Sequence, residues 1–322
     1  MKRIFFFNSD PRIAVSLALR IPPEEESGVM AFGDVVDYVS SFLSFKKIWR
    51  VEEQLPDPYR SADFINTLDV KEVVVFLDRW NRAISSYQKR FLNHVKKKAV
   101  VLETYDEISK FLKITGKIRP PRLKKDSLDE EFVSLVQKKR GDVDVLLYLG
   151  DFPQSAYFSP SAVIGFVERY LEEHKSGAIY LLGSSAFHQI VKENFDVSRV
   201  VNLLGVTSPI QNFLFAEQAK YVIATDSSFS VFLSSLATSA DSSVRRFVVF
   251  YSPFEEDICC PPEYGESRNT FFLRIKLSLT CSGCSFRVCP FGVPARCMSL
   301  ANADFLYRIF KELEGCSLNY TT

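Results

Sequence analysis

The chain has 322 residues, of which 47% are hydrophobic and 25% are charged, a composition that is ordinary for globular proteins and sufficient for two domains. Its formal net charge of +1 creates no whole-chain field that would attract nucleic acid, so we expect no nucleic-acid partner. It has only three histidines, which argues against a histidine-based metal site or a Ser-His-Asp triad, and we expect them at the surface.

The N-terminal apolar run, Ile4–Phe7, is too short for the core of a secretion signal. No uncharged apolar segment has the length of a membrane span. The seven cysteines are odd in number and too sparse for a disulfide scaffold. We therefore expect a cytoplasmic protein.

The first half alternates short apolar runs with amphipathic stretches, which predicts βαβ units and a parallel sheet. Five runs are predicted strands: Ile4–Phe7, Gly28–Phe32, Ile48–Val51, Val70–Asp78 and Ala99–Leu102.

Charged residues dominate from about 116 to 142, which predicts a linker with one amphipathic helix from about Leu128 to Val136. We expect domains at 1–140 and 141–322. Three basic clusters have acidic neighbours, which indicates solvated surface: Lys96–Lys98, Lys124–Lys125 and Lys138–Arg140.

The second half repeats the alternation and ends in a predicted helix from about Ala301 to Leu313. A further helix is predicted from about Ala186 to Asn194. Five runs are predicted strands: Val143–Leu149, Ala178–Leu182, Val200–Leu204, Tyr221–Ala224 and Arg246–Tyr251.

Three turns of this half follow a predicted strand and precede a helix, which places them at the edge of an α/β sheet where ligands bind. Helix N-termini there present free N–H groups to an anion. We expect nucleotide or diphosphate contacts from six residues: Gly150, Gly183, Thr225, Asp226, Ser227 and Ser228. The alternative is that Thr225, Asp226 or Ser227 only caps the following helix.

Four cysteines lie close together near the C-terminus: Cys281, Cys284, Cys289 and Cys297. The C-x2-C start is compatible with structural zinc, although the later spacings match no common zinc module. A group of free thiols and a disulfide remain alternatives.

Asp10 ends the first predicted strand, where a carboxylate could act as general base toward an acceptor hydroxyl. Asp34, after Gly33, is a second candidate. Either residue could instead only cap a helix.

The segments Val201–Ser208 and Ala219–Phe232, followed by the strand Val248–Pro253, resemble the ADP-heptose:lipopolysaccharide heptosyltransferases of glycosyltransferase family 9. The pairs Cys281–Cys284 and Cys297–Met298, ahead of the last helix, resemble a C-terminal element of many members.

The resemblance implies a GT-B-like α/β fold, with two Rossmann-like, doubly wound parallel-sheet domains facing a cleft and the nucleotide sugar on the C-terminal domain. It further implies inverting transfer of a heptose-like sugar from an ADP-sugar-like donor to a glycan or lipid-linked acceptor. No cofactor or catalytic metal is implied, and association with the membrane surface is an option. Asp10 matches the position of the family's catalytic Asp, although Ser9 replaces the preceding Gly.

Other departures concern the donor side. Ser228 replaces the family's Gly, Val231 replaces its His, and the segment corresponding to its K-x-W-P motif, Ser155–Pro160, has no Lys. An active transferase and a catalytically degenerate relative, acting as a binding or assembly protein, therefore both remain hypotheses. A metal- or thiol-dependent regulator using the cysteine loop is a third.

Overall fold

The computed structural model describes residues 1–7, 11–19, 21, 26–42, 45–51, 57–77, 82–103, 105–113, 124–150, 157–185, 188, 198–237, 245–251, 270–277, 289 and 296–315. The chain forms two compact units, Met1–Lys124 and Lys125–Thr322. Each is built on a parallel sheet whose strands alternate with helices. Among the described residues, no helix combines the length and the apolar character needed to cross a bilayer.

The first unit has five strands in the order β3-β2-β1-β4-β5, all parallel. The strands are β1 (Arg3–Phe7), β2 (Ser27–Phe32), β3 (Lys47–Val51), β4 (Glu72–Phe76) and β5 (Lys98–Leu102). The helices are α1 (Pro11–Ala18), α2 (Gly33–Phe42), α3 (Pro58–Thr67), α4 (Arg82–His94) and α5 (Tyr105–Leu112). All five predicted strands are confirmed.

The second unit has six parallel strands in the order β11-β10-β9-β6-β7-β8. The strands are β6 (Val143–Tyr148), β7 (Ala178–Leu182), β8 (Val200–Asn202), β9 (Tyr221–Thr225), β10 (Arg245–Tyr251) and β11 (Thr270–Lys276). The helices are α6 (Ser127–Arg140), α7 (Pro160–Glu173), α8 (Pro209–Gln218), α9 (Ser228–Ala237) and α10 (Ala303–Gly315). The helix predicted from Ala186 to Asn194 lies almost entirely outside the described residues.

Helix α6, predicted inside the linker, packs within the second unit. The ring of Phe132 meets that of Phe215 on α8 edge to face at 6.5 Å, and Lys125 forms an ion pair with Glu217 at 2.8 Å. Asp126 caps the helix by accepting a hydrogen bond from the Leu128 amide. These contacts with α8 make α6 part of the second unit, although its charged composition predicted a linker.

Both sheets place their first strand between the second and fourth strands of the same unit, and the second sheet has the complete classical Rossmann strand order. The expectation of two Rossmann-like, doubly wound parallel sheets is confirmed. In such sheets ligands bind beyond the carboxyl ends of the strands, at the point where the strand order reverses. In the second unit this switch point lies between β6 and β9.

Candidate functional site

Three glycine turns extend the second sheet beyond the carboxyl ends of β6, β7 and β8. The backbone φ angle is +112° at Gly150, +122° at Gly183 and +69° at Gly205, a region that favours glycine. The amide of Ser184 donates to the Gly150 carbonyl at 2.7 Å, and the amide of Gly205 donates to the Gly183 carbonyl at 2.8 Å. The turns thus continue the hydrogen bonding of the strands they end.

The space around these glycines is filled by neighbouring protein atoms. A Cβ atom on Gly183 would lie 2.6 Å from the carbonyl oxygen of Gly150. A Cβ atom on Gly150 would lie 2.5 Å from the ring of Tyr157 and 3.1 Å from the hydroxyl oxygen of Thr225. Close packing of the sheet edge therefore requires Gly150 and Gly183 independently of any ligand.

Ser227 caps helix α9. Its hydroxyl accepts a hydrogen bond from the amide of Ser230 at 3.2 Å, and the hydroxyl of Ser230 accepts one from the amide of Ser227 at 2.9 Å. This exchange is a capping box in which Ser230 takes the usual place of Glu or Gln. Ser227 therefore caps the following helix, as the alternative interpretation of this turn predicts.

The polar side chains of the same turn are buried. Thr225, Asp226 and Ser227 are fully buried, and Ser228 is 2% exposed. The amide of Asp226 donates to the carbonyl of Phe250 at 3.0 Å, which extends the pairing of β9 with β10. A buried carboxylate directly before a helix is compatible with the positive end of the helix dipole.

The hydroxyl oxygen of Thr225 is buried and has no hydrogen-bond partner among the atoms of the described structure. It lies at the switch point, facing Gly150 of the neighbouring strand end. A buried polar group without a partner costs about 1–3 kcal/mol, so a ligand atom that hydrogen-bonds to this hydroxyl would recover part of that cost.

The first turn of α9 is otherwise apolar. Val231, which stands where the resemblance places a histidine, is fully buried. The ring of Phe229 stacks on that of Tyr148 with centroids 4.1 Å apart. This turn therefore offers no imidazole to a donor.

Neither of the two candidate bases has a described side chain. Asp10 lies outside the described residues. Asp34 is the second residue of α2, directly after Gly33 with its φ of +44°, and its side chain is not among those described. The role of either carboxylate stays a prediction.

The cysteine loop is described only in part. Cys281 and Cys284 lie outside the described residues, whereas Cys289 and Cys297 are buried in the main apolar cluster of the second unit. Within the part of the chain that is described, no group of three or more His, Cys, Asp or Glu side chains could hold a metal ion. Structural zinc at this loop stays a prediction, and the described residues do not support it.

A polar cluster that the sequence did not reveal lies at the opposite, amino edge of the second sheet. The Tyr170 hydroxyl donates to Asp144, whose other oxygen is 2.9 Å from the Lys220 ammonium. Burial, together with the Asp144 carboxylate, raises the pKa of Tyr170. The hydrogen bond with Asp144 raises the pKa of Lys220.

Arg199 completes this cluster by donating to the carbonyl oxygens of His174 at 2.7 Å, Ser176 at 3.1 Å and Gly177 at 3.2 Å. It thereby satisfies groups at the carboxyl end of α7, where a cation also suits the helix dipole. A cavity of about 450 Å³ opens beside Arg199 and Lys220. Because both cations already have protein partners, we assign Arg199 and Lys220 a structural role.

One of the three histidines, His174, does not lie at the surface as the sequence predicts. His174 is half-buried: its Nε2 atom is 3.0 Å from Glu314 of α10, and its ring stacks on that of Tyr170 with centroids 4.3 Å apart. Its polar sequence context did not reveal that α10 packs against α7. His188 is exposed, and His94 pairs with Asp63 at the surface.

No protein-family model matches this chain, and no curated protein matches it by sequence. Solved structures do match. Escherichia coli ADP-heptose LPS heptosyltransferase II is 13% identical, with a TM-score of 0.62 over 97% of this chain and 98% of that one. The family 9 glycosyl transferase from Veillonella parvula is 10% identical, with a TM-score of 0.57 over 85% and 86% of the two chains.

The E. coli heptosyltransferase WaaC, solved with ADP, is 11% identical, with a TM-score of 0.55 over 97% of this chain and all of that one. The likeness to heptosyltransferases drawn from the sequence is thus confirmed at the level of the fold. The chain has the GT-B-like architecture of these glycosyltransferases across nearly its whole length.

Proposed function

We propose that this chain is a glycosyltransferase that binds a nucleotide sugar at the carboxyl edge of its second sheet. The donor would lie at the switch point between β6 and β9, beside Gly150, Gly183 and the turn from Thr225 to Ser228. The single observation that carries this placement is the buried Thr225 hydroxyl, which faces the switch point without a hydrogen-bond partner in the described structure. The donor class is suggested by WaaC, which was solved with ADP and also with ADP-2-deoxy-2-fluoro heptose.

In the proposed reaction an acceptor hydroxyl attacks the anomeric carbon while Asp10, or alternatively Asp34, takes its proton. The bond between the anomeric carbon and the diphosphate oxygen breaks, and a nucleoside diphosphate leaves. Attack from the opposite face inverts the anomeric configuration. A heptose-like sugar and a glycan or lipid-linked acceptor are the substrates we propose, with no catalytic metal required.

Donor binding is the direct test. Isothermal titration and saturation-transfer NMR with ADP, UDP, CDP and their sugars should detect binding of at least one, with ADP or an ADP-sugar preferred. Thr225→Val should weaken that binding, whereas Thr67→Val, which changes an exposed hydroxyl of the first unit, should not. Absence of binding by every nucleotide tested would refute the proposal.

Burial of the donor-side turn favours a second candidate, a non-catalytic relative that acts as a binding or assembly protein. The amides and hydroxyls of Ser227 and Ser230 are hydrogen-bonded to each other, and the buried Val231 side chain has no polar group. Donor hydrolysis or sugar transfer that disappears in Asp10→Ala, but persists in Asp57→Ala, would eliminate this candidate. Asp57 is a matched control because its carboxylate caps α3.

A further inference from the structure

Four neighbouring strands of the second sheet each begin shortly after a cation. Arg140 lies ahead of β6 and Lys175 ahead of β7, whereas Arg199 immediately precedes β8 and Lys220 immediately precedes β9. These strands are parallel and adjacent in the order β9-β6-β7-β8, so all four residues lie at the amino edge of the sheet. The topology therefore gathers cations that are far apart in the sequence into a row of about 14 Å, at ~4.8 Å between strands.

The four cations line one cavity. Its volume of about 450 Å³ lies within the range of small-molecule sites, roughly 300–1,000 Å³. The carboxylates of Asp142 and Asp144 line the same cavity, so positive side chains outnumber negative ones by four to two. The lining therefore favours an anion, and it also contains groups that accept hydrogen bonds.

Arg199 is held in place and retains donors that the protein does not use. Its Nε and Nη2 atoms donate to the carbonyls of His174, Ser176 and Gly177. Within the described part of the chain, no acceptor meets the N–H groups of its Nη1 atom. A guanidinium that is already fixed loses little side-chain entropy when it binds an anion.

Lys175 supplies a second cation to the same cavity. Its side chain is exposed, and its Nζ atom donates to the carbonyl of Glu172 at 3.2 Å. An ammonium group has further N–H donors. Among the described residues, no carboxylate forms an ion pair with Lys175. Its charge is therefore available to a ligand.

The two carboxylates differ in what they can still accept. Asp144 accepts a hydrogen bond from Tyr170 and pairs with Lys220 at 2.9 Å. A Cβ atom on Gly177 would lie 2.7 Å from its Oδ2 atom, so the Asp144 side chain is enclosed. Asp142 is exposed, and no hydrogen bond or ion pair to its carboxylate is found within the described residues. Asp142 can therefore accept hydrogen bonds from the hydroxyl groups of a ligand.

We propose that this cavity binds a small phosphomonoester that carries hydroxyl groups, such as a sugar phosphate. The phosphate, with about −1.5 to −2 charges at pH 7, would lie against Arg199 and Lys175. Ligand hydroxyls would donate to Asp142.

The proposed site is separate from the donor edge. Asp144 and Gly150 are six residues apart along β6 and its carboxyl end, which corresponds to about 20 Å at ~3.3 Å per residue. The proposal therefore goes beyond sugar transfer and does not depend on donor binding.

Isothermal titration of the full chain with glucose 6-phosphate tests the proposal. Binding should be measurable at millimolar concentrations or below. Glucose and malonate should each bind at least about tenfold more weakly, because glucose lacks the phosphate and malonate lacks the hydroxyl groups. Absence of glucose 6-phosphate binding would overturn the proposal, as would malonate binding of equal affinity.

Variants of the cavity locate the ligand. R140Q/K175Q should weaken the affinity for glucose 6-phosphate by about tenfold or more. The matched control K138Q/K139Q removes two exposed cations of α6 that do not line the cavity, and it should stay within about twofold of the wild type. An equal loss in the control would show that net charge rather than the cavity attracts the ligand, which would overturn the proposal.

R199K tests the planar group directly. It keeps the positive charge but not the guanidinium, and it should weaken the affinity by about tenfold. Wild-type affinity in R199K would contradict the role given to Arg199. Since Arg199 also holds three carbonyl groups, thermal unfolding without ligand must show that the variant is folded. R140Q/K175Q changes exposed side chains and keeps the proposal testable if R199K does not fold.

Two further outcomes separate this site from other roles of the same residues. Because α6, α7 and α8 end at this edge, cations there also suit the helix dipoles. Lower stability of R140Q/K175Q with unchanged affinity would mean that these cations only stabilise the helix ends, and would overturn the proposal. Thr225→Val, at the donor edge, should leave the affinity within about twofold. A loss in Thr225→Val equal to that in R140Q/K175Q would place the ligand at the donor edge instead.

Discussion

Ser227 and Ser230 each donate a backbone amide to the other's hydroxyl, at 2.9 and 3.2 Å, at the start of helix α9. Both side chains are fully buried. The turn that would meet a nucleotide is therefore held by its own hydrogen bonds. The contribution of these two hydrogen bonds to the free energy of unfolding can be measured without any ligand.

Ser230→Ala should lower the free energy of unfolding by about 1 kcal/mol, because it leaves the buried Ser227 amide without its acceptor and weakens the helix cap. Urea denaturation followed by circular dichroism measures the change. Ser176→Ala, in an exposed turn, should have almost no effect. Equal stability of the two variants would contradict the structural role of the exchange.

Thr225→Val should raise the free energy of unfolding by about 1 kcal/mol, because the methyl group replaces a buried hydroxyl that has no partner in the described structure. Thr67→Val should give no such gain, since the exposed Thr67 hydroxyl donates to the Phe64 carbonyl at 2.6 Å. Thermal unfolding without ligand tests both variants. A less stable Thr225→Val protein would mean that this hydroxyl is already satisfied.

Gly183→Ala should destabilise the second unit by more than ~2 kcal/mol. The positive φ alone costs about 1–2 kcal/mol for an alanine, and the new Cβ would also collide with the Gly150 carbonyl. Gly141→Ala is the matched control, because its φ is +90° but no atom lies within 4 Å of the added Cβ. If denaturant titrations show that both substitutions lower the free energy of unfolding equally, the contact between the new Cβ and the Gly150 carbonyl does not affect stability.

Glu314→Gln should change how stability depends on pH. Burial raises the pKa of Glu314, but Lys311 and His174 together outweigh it and hold the pKa below its ordinary value of 4.5. A lowered folded pKa gives stability that is present above the unfolded value and is lost as the pH falls through the folded value. The wild type should therefore exceed the variant in stability at about pH 5.5, and the difference should shrink toward about pH 3.

Melting curves across that interval provide the measurement. Glu312→Gln, which removes an exposed carboxylate two positions away on the same helix, should leave the pH dependence unchanged. A constant difference between the wild type and Glu314→Gln over the interval would show that the pairing does not stabilise the fold.

The buried strands were predictable because continuous apolar runs are characteristic of parallel sheets covered on both faces. Ile4–Phe7 and Val143–Leu149 nearly coincide with β1 and β6. Helix α3 was missed because its residues are largely polar. Strand β11 was missed because Arg274 and Lys276 interrupt its apolar character, which an edge strand tolerates.

The candidate site was predictable in position but not in packing. The turns after β6, β7 and β9 follow from strand-then-glycine or strand-then-serine patterns. The contact of Gly183 with Gly150 depends on which strands are neighbours, and no local pattern contains that information. The Ser227–Ser230 exchange could have been inferred, because two serines three positions apart at a helix start have the spacing of a capping box.

The glycine turns at Gly150, Gly183 and Gly205 have a consequence for how this fold diversifies. Their mutual hydrogen bonds fix where each connecting segment leaves the sheet. Loops can then change their ligand preferences while the scaffold stays constant. Solved structures only 10–13% identical to this chain share its architecture over most of their length, which a sheet edge held by backbone hydrogen bonds rather than by side chains permits.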